Sequence, residues 1–140
     1  TKWLEEIFLT TFDRFQGYWI PRGWSAEGPV KTQSRIDVPA DGAELTRGRQ
    51  AIAGVAWAQH RGIEGVEVRV DDGPWRPARL GTDVTVDAWR QWVVEWDATP
   101  GDHRIQVRAT DGEGRTQTGG QAPPAPDGAT GWHTIEVTVS

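Results

Sequence analysis

Short runs of alternating hydrophobic and polar residues begin near residue 46 and recur to the end of the chain. Ile52, Gly54 and Ala56 alternate with Ala51, Ala53 and Val55, and Trp57 closes that run. Val66, Val68 and Val70 alternate with Glu67, Arg69 and Asp71; Trp92, Val94 and Trp96 with Val93, Glu95 and Asp97; Ile105, Val107 and Ala109 with Arg104, Gln106 and Arg108. Ile135, Val137 and Val139 form the last such face. A period of two is the mark of strands buried on one side. Asp71-Asp72-Gly73-Pro74 supplies turn chemistry, so a hairpin is predicted with Trp75 to Leu80 as its returning strand. With Ser34 to Val38 as an opening strand, the pattern predicts about seven strands, no convincing helix, and an all-β antiparallel sandwich.

Two stretches break this rhythm. Residues 1–38 hold Trp3, Phe8, Phe12, Phe15, Tyr18, Trp19 and Trp24 without a sustained period, which reads as an irregular segment lying across another surface. Residues 112–131 are rich in glycine and proline and include Ala122-Pro123-Pro124-Ala125-Pro126, a favourable sequence for extended polyproline-like backbone. A connection of this length is either mobile or pinned against another domain.

Composition narrows the function classes. The 140 residues suffice for one ordinary domain, and 36% hydrophobic with 25% charged residues is a globular profile. A net charge of −5 with both signs interspersed leaves no basic stripe for a phosphate backbone, so nucleic acid is not an expected partner. No apolar run reaches the roughly 18 to 20 residues of a membrane span, and the opening stretch lacks the charged and apolar regions of a signal peptide. Zero cysteines removes disulfides, thiolate nucleophiles and every cysteine-containing metal site. Nine tryptophans are a heavy load of large rings, each with an indole N–H that needs an acceptor when buried.

Candidate chemistry is sparse. His60, His103 and His133 lie in or beside different strands and turns without zinc-site spacing, and read as surface or loop histidines. No Gly-x-Ser-x-Gly elbow is present. Asp71, Asp72, Asp83, Asp87, Asp97, Asp102, Asp111 and Asp127 lack a calcium-loop ladder and read as turn-formers. Trp89, Trp92 and Trp96 offer two readings: a stacking platform for a ligand, or two core rings (Trp92 and Trp96) on one strand face with Trp89 at the surface.

The blocks Gly17-Tyr18-Trp19-Ile20-Pro21-Arg22-Gly23-Trp24 and Gly28-Pro29-Val30-Lys31-Thr32-Gln33-Ser34-Arg35-Ile36-Asp37-Val38-Pro39 resemble the crossover from catalytic to dimerisation domain in sulfite-oxidase-like molybdopterin oxidoreductases. Ala53-Gly54-Val55-Ala56-Trp57-Ala58, Gly65 to Trp75, Trp89-Arg90-Gln91-Trp92, Arg108-Ala109-Thr110-Asp111-Gly112 and Gly131-Trp132-His133 continue the likeness in order. It covers nearly the whole chain.

This resemblance implies an immunoglobulin-like (E-set) fold. Residues 1–38 would be the tail of the molybdopterin-binding catalytic domain with the crossover, and residues 39–140 the dimerisation domain. It implies a homodimer, an upstream catalytic domain of the same chain, and a molybdenum–molybdopterin cofactor held there through a cysteine thiolate, with no catalytic residue, metal ligand or membrane contact in this stretch. The Thr1 start implies that the chain is cut from a longer parent, whose compartment is open between membrane-anchored and exported forms. Lys2, in Lys2-Trp3-Leu4, resembles the family's lysine on the pterin phosphate. Where the family carries an arginine for the substrate anion, this chain has Asp87 before Ala88-Trp89-Arg90-Gln91-Trp92, a departure that leaves Arg90 as the substrate-side cation and sulfite in question. Trp89, Trp92 and Arg108 are the interface candidates. The alternative is a free-standing immunoglobulin-like module that binds carbohydrate or protein.

Overall fold

A computed structural model describes residues 2–140. Its strands are β1 (Gln33–Val38), β2 (Ala43–Leu45), β3 (Gly48–Trp57), β4 (Ile63–Val70), β5 (Arg76–Pro77), β6 (Arg79–Leu80), β7 (Arg90–Ala98), β8 (Gly101–Asp111) and β9 (His133–Val139). They form a four-stranded sheet, β1-β3-β7-β6, and a five-stranded sheet, β2-β9-β8-β4-β5. The fold is an immunoglobulin-like β-sandwich. Pairing is antiparallel throughout except β2 with β9, which run parallel. One 3-10 turn, Ile20–Arg22, carries Pro21 and closes on Gly23 at positive φ.

The alternation read from sequence is the alternation of burial. Ile52 and Ala56 of β3, Val66 and Val68 of β4, Trp92, Val94 and Trp96 of β7, Ile105, Val107 and Ala109 of β8, and Ile135, Val137 and Val139 of β9 fill one continuous core between the sheets. Each large member contributes about 1.5–3 kcal/mol through the apolar surface removed from water. Gly54 faces inward because nothing larger fits: a Cβ there would lie 1.9 Å from the Arg35 carbonyl oxygen and 2.9 Å from the Trp92 ring. The Trp92 indole N–H, buried without a partner, is a polar cost of about 1–3 kcal/mol inside an otherwise apolar core.

Two features differ from the pattern-based reading. The predicted returning strand Trp75 to Leu80 is split: β5 pairs with β4 in one sheet and β6 with β7 in the other, the chain changing sheets at Ala78, whose N–H donates to Val66 O at 2.8 Å. The short β2 joins the far edge beside β9. The opening strand predicted at Ser34 to Val38 is present as β1, which pairs with β3.

The connection over residues 112–131 is pinned, and its anchors belong to the same chain. Trp132 Nε1 donates to Gln117 O at 3.0 Å, Lys31 Nζ to Gly128 O at 2.6 Å, and the Ser25 N–H to Pro126 O at 3.1 Å. Gly119 admits the Trp132 ring so closely that a Cβ would lie 2.8 Å from it. The open edge of β1 is blunted by these same residues: the Ile36 N–H donates to His133 Nδ1 at 3.1 Å and Ser34 Oγ to Gln117 Oε1 at 2.6 Å.

Candidate functional site

The strand directions gather the leading segment, the turn after β3, the loop before β7 and the long loop after β8 at one end of the sandwich. Asp111 is the hub of that end. It follows Ile105, Val107 and Ala109 on the inward face of β8, and its side chain is only 1% exposed. Arg61 Nε donates to its carboxylate at 2.8 Å, Thr32 Oγ1 at 3.0 Å, and the N–H groups of Arg115 and Glu113 at 3.0 and 3.1 Å. Burial opposes its ionisation, but the Arg115 N–H, Arg61, Thr32 and the Glu113 N–H together hold the carboxyl well below the usual carboxylate range. Arg61 also reaches Val30 O at 3.1 Å, so this pair ties the leading segment to the sheets. With its oxygens occupied and its proton lost, Asp111 acts as a clamp.

Beside it, Trp57 and Trp89 stack with centroids 6.0 Å apart and planes at 15°, and the Arg35 guanidinium lies 5.6 Å from the Trp89 ring. Asp87 is occupied within the chain. Its backbone oxygen accepts from Trp57 Nε1 at 2.9 Å, and its carboxylate from the His60 N–H at 2.6 Å, with His60 Nδ1 alongside. Arg90 is occupied too: it donates to Gly81 O and to Asp83 Oδ2, each at 3.0 Å. Its guanidinium holds the loop before β7.

The interface candidates separate in space. Trp89 is half exposed at one end of the four-stranded sheet. Trp92 is 2% exposed in the core, so its ring is not available to a partner; the alternation that paired it with Trp96 was the sounder guide. Arg108 lies on the outer face of the five-stranded sheet, where it pairs with Glu67 at 2.7 Å and sits 4.3 Å over the Trp75 ring. Arg69 lies between Trp75 and Trp132 at 4.8 and 5.2 Å, which completes a guanidinium and indole cluster that sequence reading did not anticipate. Lys2 is exposed.

At the opposite end, His103 is a structural group and not a loop histidine. Nδ1 meets Asp71 Oδ2 at 2.9 Å and Nε2 meets Thr99 O at 2.8 Å; both partners accept, an arrangement that favours the doubly protonated ring. The hydrogen bond to Asp71 raises its pKa, against burial, with Thr99 O and the charges of Asp71 and Asp102 adding to the rise. The charged neighbours are Asp71, Asp72, Asp102, Arg104 and Glu136. A raised folded value means stabilisation fully present below the unfolded value of about 6.5 and lost as pH rises through the folded one. Unfolding free energy is therefore expected to fall as pH rises above about 6.5, and His103→Gln to flatten that slope in urea titrations.

Among the described residues no group of His, Asp or Glu is placed to hold a metal ion, and no helix is long and apolar enough to cross a membrane. What the sequence pattern did expose is the leading segment: Trp3, Ile7, Phe8, Leu9, Phe12, Phe15, Tyr18 and Trp19 are all more than half exposed. Scattered exposed apolar residues are ordinary, whereas these crowd into residues 3–19.

The sandwich is similar to part of a much longer enzyme. The structure of the sulfane dehydrogenase SoxCD from Paracoccus pantotrophus matches 62% of this chain at 27% identity with a TM-score of 0.57, and only 23% of that chain is covered. The fibronectin(III)-like modules of Clostridium thermocellum CbhA match 79% of this chain and 47% of theirs at 21% identity and a TM-score of 0.52. The endo-β-1,4-mannanase from Thermotoga petrophila matches 79% of this chain and 20% of its own at 13% identity and 0.53. These last two share the fold alone. No family model and no curated protein matches the chain.

Proposed function

We propose that this chain is the association domain of a sulfite-oxidase-type molybdenum oxidoreductase and carries no reaction centre of its own. The observation that carries the reading is the 27% identity to a sulfane dehydrogenase of which the chain spans under a quarter, in agreement with the ordered sequence blocks. The exposed rings of residues 3–19 support it, as the end of a catalytic body on which they pack. Residues 1–38 then belong to that body and the crossover, and the sandwich to a homodimer.

The donor set of these residues does not fit the cofactor. A molybdenum centre of this family is held by a thiolate, and the chain has no cysteine; Lys2 alone supplies one cation for a pterin phosphate. The metal and pterin are therefore assigned to a body outside these 140 residues, with Lys2 reaching toward it. The test is the longer protein encoded with this chain. It is expected to hold molybdenum by plasma mass spectrometry and to oxidise a sulfur substrate, while the 140-residue chain does neither. Turnover by the 140-residue chain without added metal or pterin would overturn the proposal.

A further inference from the structure

His60 stands in the turn after β3 with a backbone φ of 62°, in the left-handed region where a side chain strains the backbone and glycine does not. A glycine there would keep the bond that fixes the turn, because the donor to Asp87 Oδ1 at 2.6 Å is the backbone N–H. The fold therefore does not account for the ring. Strained positions of this kind collect where a side chain is presented to a ligand.

Asp87 also holds the ring itself. Its carboxylate lies 3.0 Å from His60 Nδ1, and since a carboxylate accepts, the arrangement favours a proton on Nδ1. Nε2 stands on the far side of the ring with no hydrogen-bond partner among the described residues. The other two histidines serve the fold: His103 is bonded through both nitrogens, and His133 Nδ1 accepts from the Ile36 N–H. An imidazole oriented by a carboxylate at Nδ1 and open at Nε2 is the arrangement by which a histidine is aimed at a reacting or binding group.

The surroundings are apolar and bare. Val84, Val86 and Trp89, on both sides of Asp87 in the loop before β7, are 80%, 49% and 52% exposed. This loop packs on the turn that carries His60, since a Cβ at Gly62 would lie 3.4 Å from Val86 Cγ2. A body covering such a rim takes Nε2 out of water, and a polar edge removed from water needs a partner. The neighbouring guanidinium groups are already in ion pairs, Arg61 with Asp111, Arg90 with Asp83 and Arg35 with Asp37.

We infer that His60 Nε2 donates a hydrogen bond to a sulfur oxyanion bound in the seam between the sandwich and the body that precedes it, with Asp87 as the positioning residue. The inference rests on the association role proposed above and adds a residue of this chain that touches the ligand. A bare carboxylate at Asp87 would repel an oxyanion, whereas one engaged by His60 directs a donor toward it.

Acylation of the imidazole by diethyl pyrocarbonate, followed by mass spectrometry, tests this on the longer protein encoded with this chain, with inorganic sulfate as the unreactive probe. His60 is expected to react in chloride, and to react about 10-fold more slowly or less once sulfate approaches saturation. His60→Gly is expected to weaken sulfate binding in calorimetry by about 10- to 100-fold, the loss of one charge-assisted hydrogen bond, with the urea midpoint unchanged. Asp87→Asn is expected to give a smaller loss of sulfate binding with the ring still open to acylation. Equal acylation in both salts, or a glycine variant that binds sulfate as the wild type does, overturns the inference. So does a ring already protected in chloride, which makes it a packing contact, or a lowered urea midpoint in the glycine variant, which assigns the ring to the fold. Molybdenum content of the longer wild-type protein is read separately, and its absence overturns the association role whatever His60 does.

Discussion

Replacing Gly54 with alanine is expected to destabilise the sandwich by about 3 kcal/mol or more, an effect large enough to unfold a domain of ordinary stability. The new methyl group would sit 1.9 Å from the Arg35 carbonyl oxygen, which is backbone of the neighbouring strand. A flexible side chain could turn aside; a strand can move only by breaking its pairing with β3 over the register from Gln33 to Val38. On the other side stands the buried Trp92 ring, 2.9 Å from the new methyl position. Urea unfolding followed by tryptophan fluorescence measures the loss. The same change at Gly65, where the nearest atom to a new Cβ is 4.0 Å away, is the control and is expected to cost about 1 kcal/mol or less.

Asp111→Ala is expected to cost about 3–5 kcal/mol, because it leaves the Arg61 guanidinium and two backbone N–H groups without their acceptor in a closed site. The partner Arg115 is mostly exposed, so its removal is expected to cost about 1 kcal/mol or less. The loss should also be local. Thr32, Val30 and the turn after β3 are tied through this carboxylate, so hydrogen exchange in residues 30–33 and 58–62 is expected to accelerate before the rest of the sheet. The sign with pH follows from the depressed pKa of Asp111: its stabilisation is present above the unfolded value of about 3.9 and is lost as pH falls below it toward the folded one. In the alanine variant, that part of the acid dependence should vanish.

Most of the sandwich was legible because burial on one face leaves a period of two that few other structures produce. β3, β4, β7, β8 and β9 were each visible in this way. β2 was not, since Ala43, Glu44 and Leu45 are too few to show a period and pair in parallel with a strand remote in sequence. The split between β5 and β6 was hidden because its cause is tertiary: Arg76 and Arg79 belong to different sheets, and no residue type announces the change.

The site was less legible, although Asp111 left a signal. It continues the inward series Ile105, Val107, Ala109, which makes a buried carboxylate and demands a cation; grouping it with turn-forming aspartates overlooked that. Its partner Arg61 comes from a different turn and had no such mark. The pairings of Asp87 with His60 and His103 with Asp71 join residues far apart in sequence, which the linear pattern does not encode. By contrast, the surplus of rings before residue 25 was plain from sequence, and the structure leaves most of them bare.

The proposed role requires those rings to pack on a body beyond the sandwich. Hydroxyl-radical footprinting of Trp3, Phe8, Phe12 and Trp19 tests this most directly, comparing the 140-residue chain with the same chain joined to its upstream coding sequence. Strong labelling in the short chain and protection in the long one is the expected result. Equal labelling of all four rings in both would contradict it.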